Sequence, residues 1–450
     1  VAIKHFRQVI EFLPHHPHAY NNLGAVLIDI GEYQEAKTNL KKAIELQPDY
    51  VEAYNNLGNA CKEMEEYNEA IQVYEKAIEL NPQYYEAYNN LGAVLGKNEV
   101  YDEAIKAYKK ALSINPDGFD AFYNMAVTLQ DQNKLEKAIE TYKKVLVFKP
   151  DFAEAYNNMG IALKEQSKID EAIEAYNNAL SINPNDAEVY NNMGLAFKEQ
   201  GKLEEAIEAF NKTLSLKPDF YEAHNHMGIV FKYQGKLEEA IVAFNKAILV
   251  KPDYAYGYNN LGNALKEQRK IVEAIQAYYK ALLIKPDYAD AYYNMGGAFQ
   301  EQGKIELAIE AYNKVLSIKP DYGTAKHMLA SLTGKKTETA PREYVENLFD
   351  GYAKKFEASL VDKLEYKTPK LLRNILIKSN DNQELGSVLD LGCGTGLFGT
   401  EIKNHCSKLE GIDLSKKMLS IAKQKNVYDK LTQIDIVEYL STMPLNFDYY

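Results

Sequence analysis

The chain of 450 residues has no tryptophan, only three cysteines and no uninterrupted apolar run of membrane-spanning length. Because a membrane helix needs about 20 predominantly apolar residues, no transmembrane segment is expected. Cys61, Cys393 and Cys406 are odd in number and lack a CxxC spacing, which predicts reduced thiols and no disulfide framework. The first residues, VAIKHFRQVIEF, carry charges where a signal peptide needs an apolar core. These absences predict a cytoplasmic protein.

Basic residues are scarcer than acidic ones, since 52 lysines and arginines stand against 64 aspartates and glutamates. The formal net charge of −12 argues against a general affinity for nucleic-acid phosphates. Candidate metal ligands are also few. His15, His16 and His18 lie close together, but without acidic or cysteine partners we interpret them as a polar turn and expect no metal site.

Proline recurs every thirty-four residues from Pro14 to Pro320, and so regular an interval indicates an internal repeat. Nine full repeats, numbered 1 to 9, span 17–322. The twentieth residue of every repeat is alanine, and the eighth is glycine in all repeats except repeat 4, which has Ala126. Small residues at two fixed points let the backbones of paired helices approach closely. The repeats start at Pro17, Val51, Tyr85, Phe119, Ala153, Ala187, Tyr221, Ala255 and Ala289.

The twenty-fourth residue is aromatic in every repeat except the first, where it is Leu40. An aromatic stripe at this spacing predicts a packed core between two helices. The spacing of Asp49 with Glu52, and of Asp151 with Glu154, predicts side-chain caps at the start of the next helix. Each repeat should therefore be a helix pair that ends at its proline.

Phrases such as YNNLGNALKEQRKIVEAIQAYYKAL, from Tyr258 to Leu282, resemble tetratricopeptide repeats, and are especially similar to those of the O-linked N-acetylglucosamine transferases. The resemblance covers residues 1–333 and implies an all-α superhelix that binds a protein or an extended peptide in its concave groove. It departs from the commoner pattern at the fourth position, which is aromatic or histidine and never tryptophan. Since Val1 begins where a second helix begins, the array is expected to be cut at its start.

The sixth residue is asparagine in eight repeats of nine, although asparagine is a mediocre helix former. It lies about 150° from the face formed by the fourth, eighth and eleventh residues, so it should not be core in its helix pair. The resemblance places this face in the groove, where amides could hold the backbone of a peptide. The alternative is that the amides bond neighbouring repeats and only stiffen the array. The predicted groove residues are Asn22, Asn56, Asn90, Asn124, Asn158, Asn192, Asn260 and Asn294, and repeat 7 carries His226 instead.

The polar stretch TGKKTETAP from Thr333 breaks the period and predicts a linker over 334–341. Apolar residues then recur every four positions, which predicts helix leading into a sheet. This stripe consists of Tyr344, Leu348, Tyr352, Phe356, Leu360 and Leu364. The run SVLDLGCGTGLFG from Ser387 has the pattern of a buried strand, a glycine-rich turn and a helix. We therefore expect an α/β domain over 342–450.

Two further predicted strands also end in aspartates. Asp413 closes the run LEGID, and Asp435 closes the run TQID. The carboxyl ends of three neighbouring strands form the ligand crevice of an open α/β sheet. An acid at the second strand end can accept hydrogen bonds from both hydroxyls of a ribose, and an acid at the third could read the amino group of an adenine.

Charge distinguishes the two ligands that such a crevice commonly holds. Gly394, Gly396 and Gly399 spell G-x-G-x-x-G, which alone weakly suggests a dinucleotide. Asp390, directly ahead of these glycines, would repel a pyrophosphate. Its carboxylate would instead favour the cationic amino and sulfonium groups of S-adenosylmethionine.

VLDLGCGTG also resembles the first motif of class I S-adenosylmethionine-dependent methyltransferases, and GIDLS and the Asp435 strand resemble the second and third. The resemblance implies S-adenosylmethionine as the methyl donor, with Asp413 at its ribose and Asp435 and the backbone of Ile436 at its adenine. The predicted donor-binding residues are Asp390, Gly392, Gly394, Gly396, Asp413, Asp435 and Ile436. No residue is assigned as a catalytic base.

We therefore expect a methyltransferase whose array binds a protein or peptide partner. One alternative is a non-catalytic tetratricopeptide scaffold, and another is a relative of the O-linked N-acetylglucosamine transferases, suggested by the repeats alone. The chain stops at NFDYY, just inside an expected fourth strand, so it should correspond to the amino-terminal, donor-binding part of a truncated domain and show no methyl transfer itself.

Overall fold

The computed structural model of the chain describes residues 1–335, 340–357, 366–380, 384–442 and 446–449. It contains two compact bodies, Val1–Gln268 and Arg269–Tyr450, which we call the first and the second body. Leu360 and Leu364 of the predicted stripe lie outside the described residues, and so does part of the predicted linker. Among the described residues, no helix is both long enough and apolar enough to cross a membrane.

Every repeat contributes an even-numbered first helix and an odd-numbered second helix. The first body contains α1 to α16. In chain order the helices of the array are α1 (Ala2–Phe12), α2 (Pro17–Asp29), α3 (Tyr33–Leu46), α4 (Val51–Glu63), α5 (Tyr67–Leu80), α6 (Tyr85–Lys97), α7 (Tyr101–Ile114), α8 (Phe119–Asp131), α9 (Leu135–Phe148), α10 (Ala153–Glu165), α11 (Ile169–Ile182), α12 (Ala187–Gln200), α13 (Leu203–Leu216), α14 (Tyr221–Tyr233), α15 (Leu237–Val250), α16 (Ala255–Glu267), α17 (Ile271–Ile284), α18 (Ala289–Glu301), α19 (Ile305–Ile318) and α20 (Gly323–Thr333).

The eighth-position glycine and the twenty-fourth-position ring explain why the two helices of a repeat pack so closely. In repeat 5, Tyr176 is fully buried, and a Cβ atom added to Gly160 would overlap its ring. In repeat 6, Gly194 and Phe210 have the same relation. The twentieth-position alanine, for example Ala172, is also fully buried. The predicted packing role of these positions is confirmed.

The predicted caps at Asp49 and Asp151 are wrong. The N-cap of α4 is Tyr50, whose side chain makes no capping bond, so Asp49 lies one residue too early. α10 and α14 likewise have phenylalanine at the N-cap. Repeat 6 differs because its aspartate follows the proline by two residues. Asp186 is itself the N-cap of α12 and accepts the N–H groups of Glu188 (3.0 Å) and Val189 (3.2 Å).

The second body ends in a small parallel sheet. After α21 (Arg342–Glu357) and α22 (Thr368–Ser379), β1 (Leu385–Leu391) pairs with β2 (Cys406–Asp413), which pairs with β3 (Lys430–Gln433). α23 (Leu397–Ile402) follows β1, α24 (Lys416–Gln424) follows β2 and α25 (Ile436–Thr442) follows β3.

On the other side of β1, Val388 forms a parallel bridge with Tyr449. Leu385 and Leu409, both fully buried, pack with Ile402 and Cys406 in the core beneath the sheet. All three cysteines of the chain are buried free thiols. The predicted fold class, an all-α tetratricopeptide array followed by an α/β part, is confirmed.

Candidate functional site

The turn between β1 and α23 consists of backbone that glycine adopts most easily. Gly392, Gly394 and Gly396 have φ angles of 75°, 55° and 81°, all in the left-handed region. The N–H groups of Gly392 and Cys393 both donate to the carbonyl oxygen of Ile412, at 2.9 Å each. These bonds fasten the turn to the end of β2.

Asp390, the second-last residue of β1, is held by a tyrosine that the sequence analysis missed. The Tyr428 hydroxyl donates to Asp390 Oδ2 at 2.6 Å. Burial raises the pKa of Asp390 to about 6, although the bond from Tyr428 lowers it. The Tyr428 ring lies where Cβ atoms on Gly399 or Gly411 would fall. In the sequence, the absence of side chains at Gly399 and Gly411 is the one signal that space is left for a large ring.

The two other predicted acids already accept backbone hydrogen bonds. Asp413 accepts the N–H of Gly394 (2.9 Å) on one oxygen and the N–H of Ser415 (2.8 Å) on the other. Asp435 caps α25, since its Oδ1 accepts the N–H groups of Val437 (2.8 Å) and Glu438 (3.2 Å). A carboxylate offers about four lone-pair sites, so each acid can still accept bonds from a ligand.

Sheet order places the glycine turn at a topological switch point. The strands run β3–β2–β1, and the Tyr449 segment lies beyond β1 on the opposite side. After β1 the chain forms β2 and β3 on one side of β1, and the Tyr449 segment then pairs with the other side of β1. Ligands of open α/β sheets bind at such a reversal, outside the carboxyl ends of the strands.

α21 crosses the carboxyl ends of all three strands, through Glu346 and Asp350, which the sequence analysis did not select, and through Phe356 of the predicted stripe. Glu346 accepts a bond from Gln433 at the end of β3 (2.9 Å). Asp350 accepts the Ser415 hydroxyl just after β2 (2.5 Å). Phe356 lies 3.9 Å from the Cβ position of Gly394 after β1. Phe356 of the predicted stripe is thus part of the site's wall.

A cavity of about 450 Å³ adjoins the turn. It is lined by Asp390, Gly392 and Gly394 from the predicted set, by Phe356 of α21 and by apolar residues of α22. Gly396, Asp413, Asp435 and Ile436 do not line it. The cavity therefore covers the β1 end of the predicted crevice, and the two acids lie at the neighbouring strand ends.

The predicted groove asparagines bond neighbouring repeats in the first body. Asn192 of repeat 6 donates to Asn157, the fifth residue of repeat 5, at 3.1 Å. In repeat 4 the fifth residue is Tyr123, and its hydroxyl accepts from Asn158 at 3.0 Å. The same bond joins Asn56 to Asn21 (2.9 Å), Asn90 to Asn55 (3.0 Å), Asn124 to Asn89 (3.1 Å) and Asn260 to Asn225 (2.9 Å).

The fifth-position asparagines, which the sequence analysis left unassigned, are the buried members of these pairs, whereas Tyr123 is half-buried. Asn157 is 9% exposed, whereas Asn158 and Asn192 are half-buried. Asn22 is exposed and accepts from Asn21 at 3.3 Å, and Asn294 is half-buried. The structure thus shows the bonds between repeats that the alternative interpretation required. A side-chain amide has two N–H donors and an oxygen with two lone pairs, so an amide that gives one N–H to its neighbour, as Asn192 does, can still bond a ligand.

One further cluster of potential metal ligands lies in the first body. Ligand atoms of Cys61, Glu66 and Glu69 lie within 4.8 Å of one another. The Lys37 ammonium bonds both carboxylates, at 2.5 Å and 2.7 Å. Burial also raises the pKa of the Cys61 thiol to about 11. A protonated thiol and an ammonium in this position make the cluster an ion-pair network between repeats rather than a metal site.

Family models agree with this architecture. Models described as tetratricopeptide repeat match residues 16–83, 85–117, 107–140, 187–220 and 289–322, and one described as TPR repeat matches 129–167, 162–201, 228–269 and 262–303. Together the matches cover well over half of the chain. The chain belongs to the tetratricopeptide-repeat family. The predicted special similarity to O-linked N-acetylglucosamine transferases stays a prediction.

The part of this tetratricopeptide-repeat protein that follows the array contains a methyltransferase domain match over residues 388–448. The demethylmenaquinone methyltransferase of Oceanobacillus iheyensis is 31% identical over 102 residues, which are 22% of this chain and 42% of that protein. The chain thus spans less than half the length of this relative.

Solved structures also resemble the array. MamA is 32% identical, covering 37% of this chain and 97% of its own, with a TM-score of 0.35. YrrB, described as a TPR protein with an unusual peptide-binding site, is 26% identical, covering 41% and 95%, with a TM-score of 0.36. A tetratricopeptide-repeat protein from Parabacteroides merdae is 21% identical, covering 56% and 99%, with a TM-score of 0.47. At these TM-scores the alignments support no functional conclusion.

Proposed function

We propose that this tetratricopeptide-repeat protein is an S-adenosylmethionine-dependent methyltransferase whose array binds a protein or an extended peptide. The observation that carries the proposal is the left-handed glycine turn beside Asp390 at the switch point of the sheet. A methyltransferase domain match over the same residues supports it. A cytoplasmic location stays a prediction.

The residues around the turn fit a donor with a positive centre. The cavity volume is within the range of small-molecule sites, roughly 300 to 1,000 Å³. Because the turn has no side chains at Gly392 and Gly394, a ligand can approach its backbone closely. Asp390, ionised above its pKa of about 6, contributes a negative charge beside this backbone.

When bound, S-adenosylmethionine would supply an electrophilic methyl group on its sulfonium. Asp413, fixed by its bonds to Gly394 and Ser415, would orient the ribose with its remaining lone pairs. Asp435 and the backbone of Ile436 would hold the adenine. Since methyl displacement needs little covalent help from the protein, such positioning would supply most of the rate.

The array would present partner peptides to this domain. Among its sixth-position residues, Asn56, Asn90, Asn124, Asn192 and Asn260 are half-buried amides that each donate one N–H to the preceding repeat, and an amide has a second N–H and an acceptor oxygen besides. A row of such amides can bond the backbone of an extended peptide with little dependence on its sequence.

Titration calorimetry of the full chain at pH 8 tests the charge argument. S-adenosylmethionine should bind more tightly than S-adenosylhomocysteine, which lacks the sulfonium charge. Asp390→Asn should reduce this preference about tenfold, because the substitution removes a nearby negative charge but keeps an acceptor for Tyr428. As pH falls through about 6, Asp390 gains its proton and the wild-type preference should vanish.

Glu401→Gln is the matched control, because Glu401 pairs with Arg373 and does not line the cavity. It should leave both affinities unchanged. If the wild-type chain binds neither compound, the donor site is refuted. If Asp390→Asn keeps the full preference, Asp390 does not face the sulfonium.

A further inference from the structure

Two ion pairs join the first helices of neighbouring repeats at the same position in the repeat. Lys164 of α10, the twelfth residue of repeat 5, lies 3.7 Å from Glu199 of α12, the thirteenth residue of repeat 6. Lys232 of α14 and Glu267 of α16 have the same relation, at 2.9 Å. The twelfth and thirteenth residues lie two helical turns beyond the fifth and sixth, so they share the faces that carry the amide bonds. At each boundary between repeats, we call the line formed by the amide bond and the twelfth-to-thirteenth contact the seam.

The seam between α12 and α14 departs from this pattern at both of its contacts. Repeat 7 has Tyr233 at the thirteenth position, where its neighbours have Glu199 and Glu267. It also has His226 at the sixth position, and the His226 ring replaces an amide in the bond to Asn191 (3.1 Å). The two exceptions lie on one face of α14. Two departures on one seam, between neighbouring repeats that keep the ion pair, point to a specific local role.

The first departure leaves a cation without its counterpart. Lys198 is the twelfth residue of repeat 6 and would face an acid if repeat 7 followed the pattern. Within the described residues, Lys198 forms no salt bridge and no side-chain hydrogen bond. Burial lowers its pKa, as does nearby Lys164, although Glu199 opposes this shift. Glu199 itself is the partner of Lys164.

The surroundings of Lys198 favour an incoming anion. A partly desolvated ammonium without a counter-charge is costly, and an ion pair offsets that cost. Burial lowers the pKa of His226 to about 4, so this ring is neutral at physiological pH and leaves the ammonium as the charged group. Tyr233 is 58% exposed and its hydroxyl can donate a second hydrogen bond.

We propose that Lys198 and Tyr233 form a subsite for one acidic side chain, aspartate or glutamate, of a peptide bound along the array. This inference rests on the proposed peptide-binding function of the array. A side-chain carboxylate fits better than a terminal carboxylate, because repeats continue on both sides of repeat 6 and the peptide can extend in both directions. A single ammonium at this seam suits one carboxylate and not an acidic run, because the net charge of −12 of the chain would repel further acids.

A pull-down from synthetic octapeptide libraries by the full chain tests this subsite. The three probes are an amidated random library without acidic residues, the same library with one glutamate, and the first library with a free carboxyl terminus. The wild-type chain should retain the glutamate library about tenfold better than the neutral one. Lys198→Gln should remove this selectivity while retaining as much neutral peptide as the wild type.

Lys62→Gln is the control variant, because Lys62 occupies the same twelfth position in repeat 2 but is paired with Glu63 at 3.1 Å. It should keep the selectivity. Tyr233→Glu restores the acid found in neighbouring repeats, so it should pair with Lys198 and abolish the selectivity without lowering the melting temperature. Because Tyr233→Glu should keep the melting temperature, loss of selectivity in this variant reports loss of the subsite and not unfolding.

The outcomes are distinguishable. If no library is retained, the peptide-binding function fails, and the subsite fails with it. If peptides are retained but Lys198→Gln and Tyr233→Glu both keep the glutamate selectivity, only the subsite is refuted. A preference for free carboxyl termini without a preference for glutamate would also overturn the proposal, because the occupant would be a chain end.

Discussion

Asn192 illustrates why a residue with poor helix propensity recurs inside the first helix of a repeat. Its amide donates to the buried oxygen of Asn157 at 3.1 Å, across the boundary between two repeats. Without this donor, a buried acceptor would lose its partner, which costs about 1 to 3 kcal/mol. That penalty is larger than the helix-propensity cost of asparagine relative to alanine, which is about 0.5 kcal/mol. The sequence analysis gave this bonding only as an alternative to a role in the peptide groove.

The amide bond can be measured by a double-mutant cycle on Asn157 and Asn192. Asn192→Ala should lower the free energy of unfolding by about 1 to 2 kcal/mol, and the coupling between the two positions should be about 1 kcal/mol. Urea unfolding followed by circular dichroism gives both quantities. The control cycle pairs Asn157 with Asn260, which bonds Asn225 instead, and its coupling should be close to zero. A stabilised Asn192→Ala variant would contradict the bonded arrangement.

At the scale of secondary-structure elements, the repeat depends on a match between the glycine of one helix and the ring of the other. Gly160 leaves the space that the Tyr176 ring occupies, and both lie in the core of repeat 5. The same principle operates in the α/β part, where Gly399 and Gly411 leave space for Tyr428, which in turn holds Asp390. In both places glycine is kept for space and not for backbone freedom.

Gly160→Ala should therefore lower the stability of the array by about 1 to 3 kcal/mol, because the fully buried Tyr176 ring must move to admit the methyl group. Gly351→Ala is the matched control, since Gly351 lies within α21 and a Cβ there meets nothing within 4 Å. That change should be neutral or stabilising, because alanine is the better helix former. Thermal melts of both variants decide the matter, and equal melting temperatures would refute the space argument.

At the scale of the whole molecule, the chain divides at Gln268 and Arg269, inside the repeat array. The sequence placed its boundaries at 333 and 341, where composition changes, and these boundaries stay predictions. In repeat proteins each repeat contacts mainly its neighbours, so stability is distributed along the array instead of residing in one central core. A change of composition therefore need not coincide with a change in packing.

Hydrogen exchange should reveal this distribution of stability in the first body. No residue of α1 is buried, and Phe12 is 82% exposed, so the amides of α1 should exchange first. The amides of α10, whose buried residues include Ala155 and Leu163, should exchange far more slowly. Mass spectrometry of the full chain measures both helices in one experiment. Equal protection of α1 and α10 would mean that the body unfolds as a single cooperative unit.

The sequence by itself determined the helix-pair repeat and the glycine turn at the end of a strand. Both follow from local chemistry, because residues at fixed spacing on one helix face, or glycines after an apolar run, specify backbone geometry directly. It also identified Asp390, Asp413 and Asp435 as acids at strand ends, although their ligands stay predictions.

Tertiary structure alone decided which groups those residues bond. Tyr428 reaches Asp390 across 38 positions of the chain, and Asn192 reaches Asn157 across 35, so neither partner can be read from local pattern. Nor could the sequence show that α21 crosses the strand ends through Asp350. The missing acid opposite Lys198 needed both sources of information. The sequence shows that Tyr233 replaces glutamate, but only the ion pairs of the neighbouring repeats show that this glutamate would have paired with Lys198. Hydrogen bonds and ion pairs between distant segments depend on how helices and strands are packed, which local propensity does not encode.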